Sequence, residues 1–235
     1  MTEEYRQDSH GPQDPQDLWN AVDDYVNERL VPADEGLTGA LAASDAAGLP
    51  AIAVAPNQGK FLHLLAASLG ARRVLEIGTL GGYSTIWLAR ALPAGGRLIS
   101  LEYSERHAEV ARASLARAGL DAIAEVRTGP ALETLPKLAA EPGAGPFDLF
   151  FIDADKVNNA RYVEWALRLS RPGSLIVVDN VVRGGKITEP SEDPAVRGTR
   201  EMFDAIAREP RLDATTVQTV GTKGYDGFLL ARVLD

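Results

Sequence analysis

From Arg72 onward, short apolar runs alternate with amphipathic segments, and each apolar run stops at glycine or at a polar side chain. RRVLEIG (72–78), GRLISLE (96–102), AIAEVRTG (122–129), FDLFFID (147–153) and SLIVVD (174–179) have the length and the Val, Ile, Leu and Phe content of buried strands. Between them YSTIWLARAL, SERHAEVARASLARAGL, ALETLPKLA and NARYVEWALRLS place apolar residues at helical spacing. This alternation predicts an α/β fold with a mostly parallel, doubly wound sheet and helices on both faces. Two last runs, TTVQTVG and DGFLLARVL, bracket GTKGYDG and predict a C-terminal antiparallel hairpin at the sheet edge.

Upstream, Leu18, Val22, Tyr25, Val26 and Leu30 share a helical face, with Asp17 as the expected N-cap. Further helices are expected over 36–47 and over 59–70, the latter closed by Gly70. Residues 1–16, broken by Gly11, Pro12 and Pro15 and poor in apolar residues, are expected to be a disordered tail. That leaves 17–235 as one domain with a full core. The stretch from Val182 to Gly198, with Gly184, Gly185, Pro190 and Pro194, is expected to be a long mobile cover.

Two of the strands end in chemistry that packing does not require. FDLFFIDADK closes on Asp153 and Lys156, and SLIVVDN closes on Asp179 and Asn180. Carboxylates at the end of a buried strand need a hydrogen-bonding, ionic or metal partner. Three hard oxygen donors from two strand ends suit Mg²⁺, Mn²⁺ or Ca²⁺, although Asp and Asn also cap helices and turns. The first strand runs into LEIGTLGGYST, where Gly78, Gly81 and Gly82 let the backbone turn sharply against a ligand. Its spacing differs from the pyrophosphate-binding G-x-G-x-x-G pattern. Glu102 ends the second strand, where an acid is placed to hold ribose hydroxyls.

Composition narrows the class. The chain carries a net charge of −9, which argues against a general nucleic-acid binder. No apolar stretch approaches the ~20 residues of a membrane span, and the polar, acidic start does not read as a secretory signal. With no cysteine there are no disulfides, thiolate metal sites or thiol nucleophiles; a cytoplasmic location is expected. His63 and His107 read as helix-face residues, Trp19, Trp87 and Trp165 as core or dimer contacts, and Met202 and Phe203 as core.

Several motifs in order, APNQGKFLHLLA, VLEIGTLGGYST, the acid of LISLE, TGPALETLPKL, DLFFIDADK, YVEWALRLSRPGSLIVVDN and GYDGFLLA, resemble the cation-dependent O-methyltransferases that use S-adenosylmethionine. That group includes the caffeoyl-CoA and catechol enzymes, and the likeness runs from about Val54 to the C-terminus. It implies a Rossmann-like class I methyltransferase fold. Carried over, Glu76, Gly78, Thr79 and Ser84 would surround the methionine and sugar of the cofactor, Glu102 would bind its ribose, and Val54 and Ala131 would touch it. Asp153, Asp179 and Asn180 would be the divalent-metal ligands, with Asp153 also close to the methyl donor. Lys156 would be the general base.

The departures point to the bacterial small-molecule branch. Val157-Asn158-Asn159 lacks the tyrosine that often follows DADK, and the N-terminus is acid-rich where the plant caffeoyl-CoA enzymes carry basic residues suited to coenzyme phosphates. Val181-Val182-Arg183-Gly184-Gly185 replaces the tryptophan-containing loop of the plant type. The resemblance thus implies methyl transfer to a hydroxyl of a catechol-like small aromatic by a homodimer. A non-catalytic subunit that binds S-adenosylmethionine is the competing reading, which the intact metal trio and Lys156 disfavour. A nicotinamide-dependent oxidoreductase would need the pyrophosphate fingerprint that is absent.

Overall fold

The computed structural model describes residues 14–32 and 34–235; of the disordered tail expected over 1–16, residues 1–13 lie outside the described residues, and Pro15 and Gln16 are helical rather than disordered. Strands β1 (Arg73–Ile77), β2 (Arg97–Glu102), β3 (Ala124–Thr128), β4 (Leu149–Ile152), β5 (Leu175–Asp179), β6 (Leu212–Gly221) and β7 (Gly224–Val233) form one sheet. Its order is β3-β2-β1-β4-β5-β7-β6. Neighbours among β1 to β5 pair in parallel, and β7 lies antiparallel between β5 and β6. The cause of the change in direction is chain length. Only Thr222 and Lys223 separate β6 from β7, and a connection that short can join only antiparallel strands. The hairpin predicted from sequence is therefore present, with β6 as the edge.

Side-chain alternation sorts the strands onto two apolar layers. Val74, Leu98, Leu149, Phe151 and Val177 face one layer, covered by α3 (Pro56–Leu69), α4 (Tyr83–Arg90) and α5 (Glu105–Arg117). Leu75, Leu101, Phe150, Ile152 and Val178 face the other, covered by α6 (Ala131–Ala140), α7 (Asn159–Leu169) and α8 (Pro194–Ala207). Both faces are thus dry, which is why these strands read as continuous apolar runs. Asp148 at the foot of β4 accepts the N–H groups of Arg72 and Arg73 at 2.7 and 2.9 Å and pairs with Arg171, so a buried charge aligns β4 with β1.

Two further expectations are corrected. The helix expected from Leu18, α1 (Pro15–Leu30), starts at Pro15, capped by Asp14 and not by Asp17. Proline fits the first helical position because its missing N–H would have no intrahelical partner there. The cover expected over 182–198 is not a continuous loop. Two 3₁₀ turns occupy Arg183–Thr188, and α8 begins at Pro194 under an Asp193 cap. The α8 segment carries a glycine because of close packing: a Cβ on Gly198 would lie 2.5 Å from the carbonyl oxygen of Lys156 and 2.6 Å from Val157 Cα. Helix α2 (Glu35–Ala46) lies within a residue of the expected bounds.

Candidate active site

The carboxyl ends of β1 to β5 open into one cleft of about 780 Å³, centred where strand order reverses between β1 and β4. Such switch points are where open parallel sheets hold ligands. The turn from β1 into α4 forms one wall. Gly78 has φ 98°, and a Cβ there would collide with the carbonyl oxygen of Asp153 on the neighbouring strand, so glycine is required for β1 and β4 to close together. Leu80 follows with φ 50°, a left-handed conformation that disfavours a branched side chain by about 1–2 kcal/mol. Glu102 holds this turn in place. Its Oε2 accepts the N–H groups of Thr79 (3.1 Å) and Leu80 (2.8 Å), and its Oε1 accepts that of Ser104 (2.9 Å).

Every residue expected at the site lies in or directly beneath this cleft. Val54, Gly78, Thr79 and Ser84 line one side, with Glu102 and Ala131 beside them. Asp153, Lys156 and Asn180 line the opposite side. Glu76 and Asp179 do not reach the surface; they are 0% and 4% exposed and underlie the two halves.

Glu76 sits in a cage of hydroxyls. Ser84 donates to its Oε1 at 2.6 Å, and Thr85 and Ser100 donate to its Oε2 at 2.5 and 2.6 Å. Burial nonetheless pushes its carboxyl up to about 7, because three neutral donors do not replace bulk water around a charge. The Thr79 hydroxyl is engaged with Ser100 Oγ.

The opposite half gathers charge. Lys156 Nζ donates to Asp153 Oδ1 at 2.9 Å, with the lysine side chain only 9% exposed. Asp179 accepts Gln58 Nε2 on Oδ2 at 2.7 Å and the Asn180 N–H on Oδ1 at 2.8 Å. Burial first, and the nearby Asp153 second, raise the Asp179 carboxyl to about 7. Asn180 has φ 53°, which asparagine tolerates better than most residues. Among the described residues no three His, Cys, Asp or Glu side chains cluster as a metal site; the donor set here is two carboxylates and one amide. Two crowded carboxylates plus a hard amide oxygen nevertheless fit a divalent cation of the Mg²⁺ class, which would relieve the repulsion that raises Asp179.

Sequence reading missed several participants. Gln58 reaches Asp179 from α3, across 121 positions of chain. His107, expected on a helix face, is in the first turn of α5 and lines the cleft, with Nδ1 3.4 Å from Glu102 Oε1. Tyr162, one turn into α7, lines the cleft and donates its hydroxyl to Asp155. Arg183 enters from beyond β5. Gln58 and Tyr162 lie within motifs quoted above and Arg183 within the Val181–Gly185 segment, but no local pattern assigns any of the four to the site.

Comparison with known proteins agrees with this arrangement. The profile of the O-methyltransferase family matches residues 37–234. A catechol O-methyltransferase of Mycobacterium tuberculosis is 58% identical over 212 residues, covering 90% of this chain and 94% of that protein. Another from Niastella koreensis is 52% identical over 217 residues, covering 92% and 98%. The crystal structure of the O-methyltransferase from Bacillus cereus in complex with SAH superposes with a TM-score of 0.91 at 56% identity, covering 92% of this chain and 99% of that one. The chain belongs to the O-methyltransferase family.

Proposed function

We propose that this chain is an S-adenosylmethionine-dependent O-methyltransferase that methylates one hydroxyl of a catechol-like small aromatic with the help of a divalent cation. One observation carries the reading: the glycine turn held by Glu102 shares a single cleft with Asp153, Lys156 and Asn180, with buried Asp179 next to Asn180. Relatives described as catechol O-methyltransferases, and one solved in complex with SAH, support it.

The cofactor supplies an electrophilic methyl group on a sulfonium. Gly78 and Thr79 would surround its amino-acid and sugar portions, and Glu102, whose carboxylate oxygens keep lone pairs after accepting backbone N–H groups, would bind the ribose. Val54 and Ala131 provide apolar contact. On the other side Asp153, Asp179 and Asn180 would hold Mg²⁺, Mn²⁺ or Ca²⁺, which when bound supplies Lewis acidity that lowers the pKa of a phenol from its usual value of about 10. Lys156 Nζ would take the phenolic proton after first losing one of its own to solvent, since the ammonium form that pairs with Asp153 Oδ1 carries no lone pair. Holding the acceptor oxygen against the methyl group contributes through positioning, worth on the order of 7–11 kcal/mol in ideal cases.

The test is transfer of labelled methyl from S-adenosylmethionine to a panel of catechols, with Mg²⁺ or with EDTA. Metal-dependent transfer is expected. Cofactor binding without transfer to any catechol would overturn the reading in favour of a non-catalytic subunit.

A further inference from the structure

Arg183 is not used by the chemistry above, and its setting is unusual. It follows β5 by four residues and lines the same cleft as Asn180 and Lys156. Its backbone has φ 56°, a left-handed conformation without glycine's freedom. That conformation is imposed from outside: Asp226 on β7 accepts the N–H of Val182 at 2.9 Å and that of Arg183 itself at 3.0 Å. The side chain is left without a matching acceptor. Among the described residues no ion pair or hydrogen bond involves its guanidinium, and Nε is sealed from solvent with no partner.

A guanidinium stays charged, and a buried N–H donor in a folded protein is nearly always completed by a protein group, a water or a ligand. Its planar fork matches a carboxylate. The surrounding molecule carries a net charge of −9, so an anionic acceptor would be repelled at long range and needs a fixed local cation to be retained. Resting on the catechol reading above, we propose that Arg183 selects acceptors by their charge: the preferred substrate is a catechol whose ring bears a carboxylate, held by Arg183 while the two hydroxyls face Lys156 and the Asp153, Asp179 and Asn180 set.

Three acceptors test this: 3,4-dihydroxybenzoate, its methyl ester and unsubstituted catechol, each assayed with wild-type protein and with Arg183→Gln and Arg183→Lys. Comparing variant with wild type for each acceptor cancels the differing reactivity of the phenols. Arg183→Gln should lower kcat/KM for the acid roughly tenfold to a hundredfold more than for the ester, mainly through KM, as loss of a charge-assisted hydrogen bond predicts. Arg183→Lys should recover part of the loss. Affinity for S-adenosylhomocysteine should not change. Equal losses for acid and ester, or weakened cofactor binding with all acceptors affected alike, would overturn the assignment, the latter by giving Arg183 to the cofactor's carboxylate. Transfer to neutral catechols with no Arg183-dependent preference for the acid sinks this inference and leaves the proposed function standing. No transfer to any of the three removes both.

Discussion

Lys156, Glu76 and Gln58 each have a setting that makes a distinct claim. Lys156 Nζ is nearly buried against Asp153, so Lys156→Ala should lower kcat strongly while leaving S-adenosylmethionine affinity little changed; a kcat unaltered across pH would remove its role as base. Glu76 makes a prediction about stability. Its carboxyl is raised from 4.5 to about 7 by burial, so between those values the folded chain holds a proton that the unfolded chain has lost. The stability this proton brings is complete below pH 4.5 and is lost as pH rises to 7. Urea denaturation from pH 4.5 to 7.5 should therefore show wild type falling relative to Glu76→Gln by on the order of 3 kcal/mol; parallel curves would show that Glu76 ionises freely. Gln58 orients Asp179 Oδ2 at 2.7 Å. Calorimetric titration of Gln58→Ala with Mg²⁺, without acceptor, should give an affinity lower by about tenfold to a hundredfold, as is usual for residues that orient metal ligands.

At the scale of elements, α1 is tied to the body of the molecule by a buried carboxylate and by Gln16, whose Nε2 donates to the Gly221 carbonyl at 2.9 Å. Asp23 accepts Asn57 Nδ2 from α3 and the Thr222 N–H from the β6–β7 turn, each at 2.8 Å. Asn57 is the neighbour of Gln58, so this anchor adjoins the residue that orients Asp179. Asp23→Ala would leave two donors without an acceptor, a loss of about 1–3 kcal/mol. Faster hydrogen exchange over 15–30 and at Thr222 is the expected outcome; unchanged protection would mean that α1 is held by other contacts. The strand–helix alternation was legible in sequence because dry strands between two helix layers must be apolar throughout, as FDLFFID and SLIVVD are. The start of α1 and the structure of 183–198 were not, because Pro15, Pro190, Pro194 and the paired glycines signal a break equally whether a helix starts beyond them or not.

The molecule as a whole leaves an apolar stripe in the open. Leu18, Val22 and Tyr25 on α1 are 53%, 53% and 60% exposed, and Leu64 on α3 is 52% exposed. An amphipathic helix whose one buried residue is Asp23 has its apolar positions unpaired. We expect a homodimer that covers this stripe. Light scattering with size-exclusion chromatography should report about twice 25.1 kDa, and Leu18→Asp with Val22→Asp should shift it to a monomer; a monomeric wild type would reject the dimer. No helix among the described residues is long and apolar enough to cross a membrane.

The chain's own pattern determined the order of strands and helices, the acid at the end of β2, the oxygen donors at the ends of β4 and β5, and Lys156 beside them. Each of these is a local signal, an apolar period or a polar stop read over a few residues. Tertiary structure alone decided what surrounds them: Glu76 is caged by Ser84, Thr85 and Ser100, Gln58 meets Asp179, and Asp226 forces Arg183 into a left-handed turn with its guanidinium unmatched. Those contacts join residues from 8 to 121 positions apart. No local pattern encodes them, since burial and partnership are properties of the packed sheet and not of any one segment.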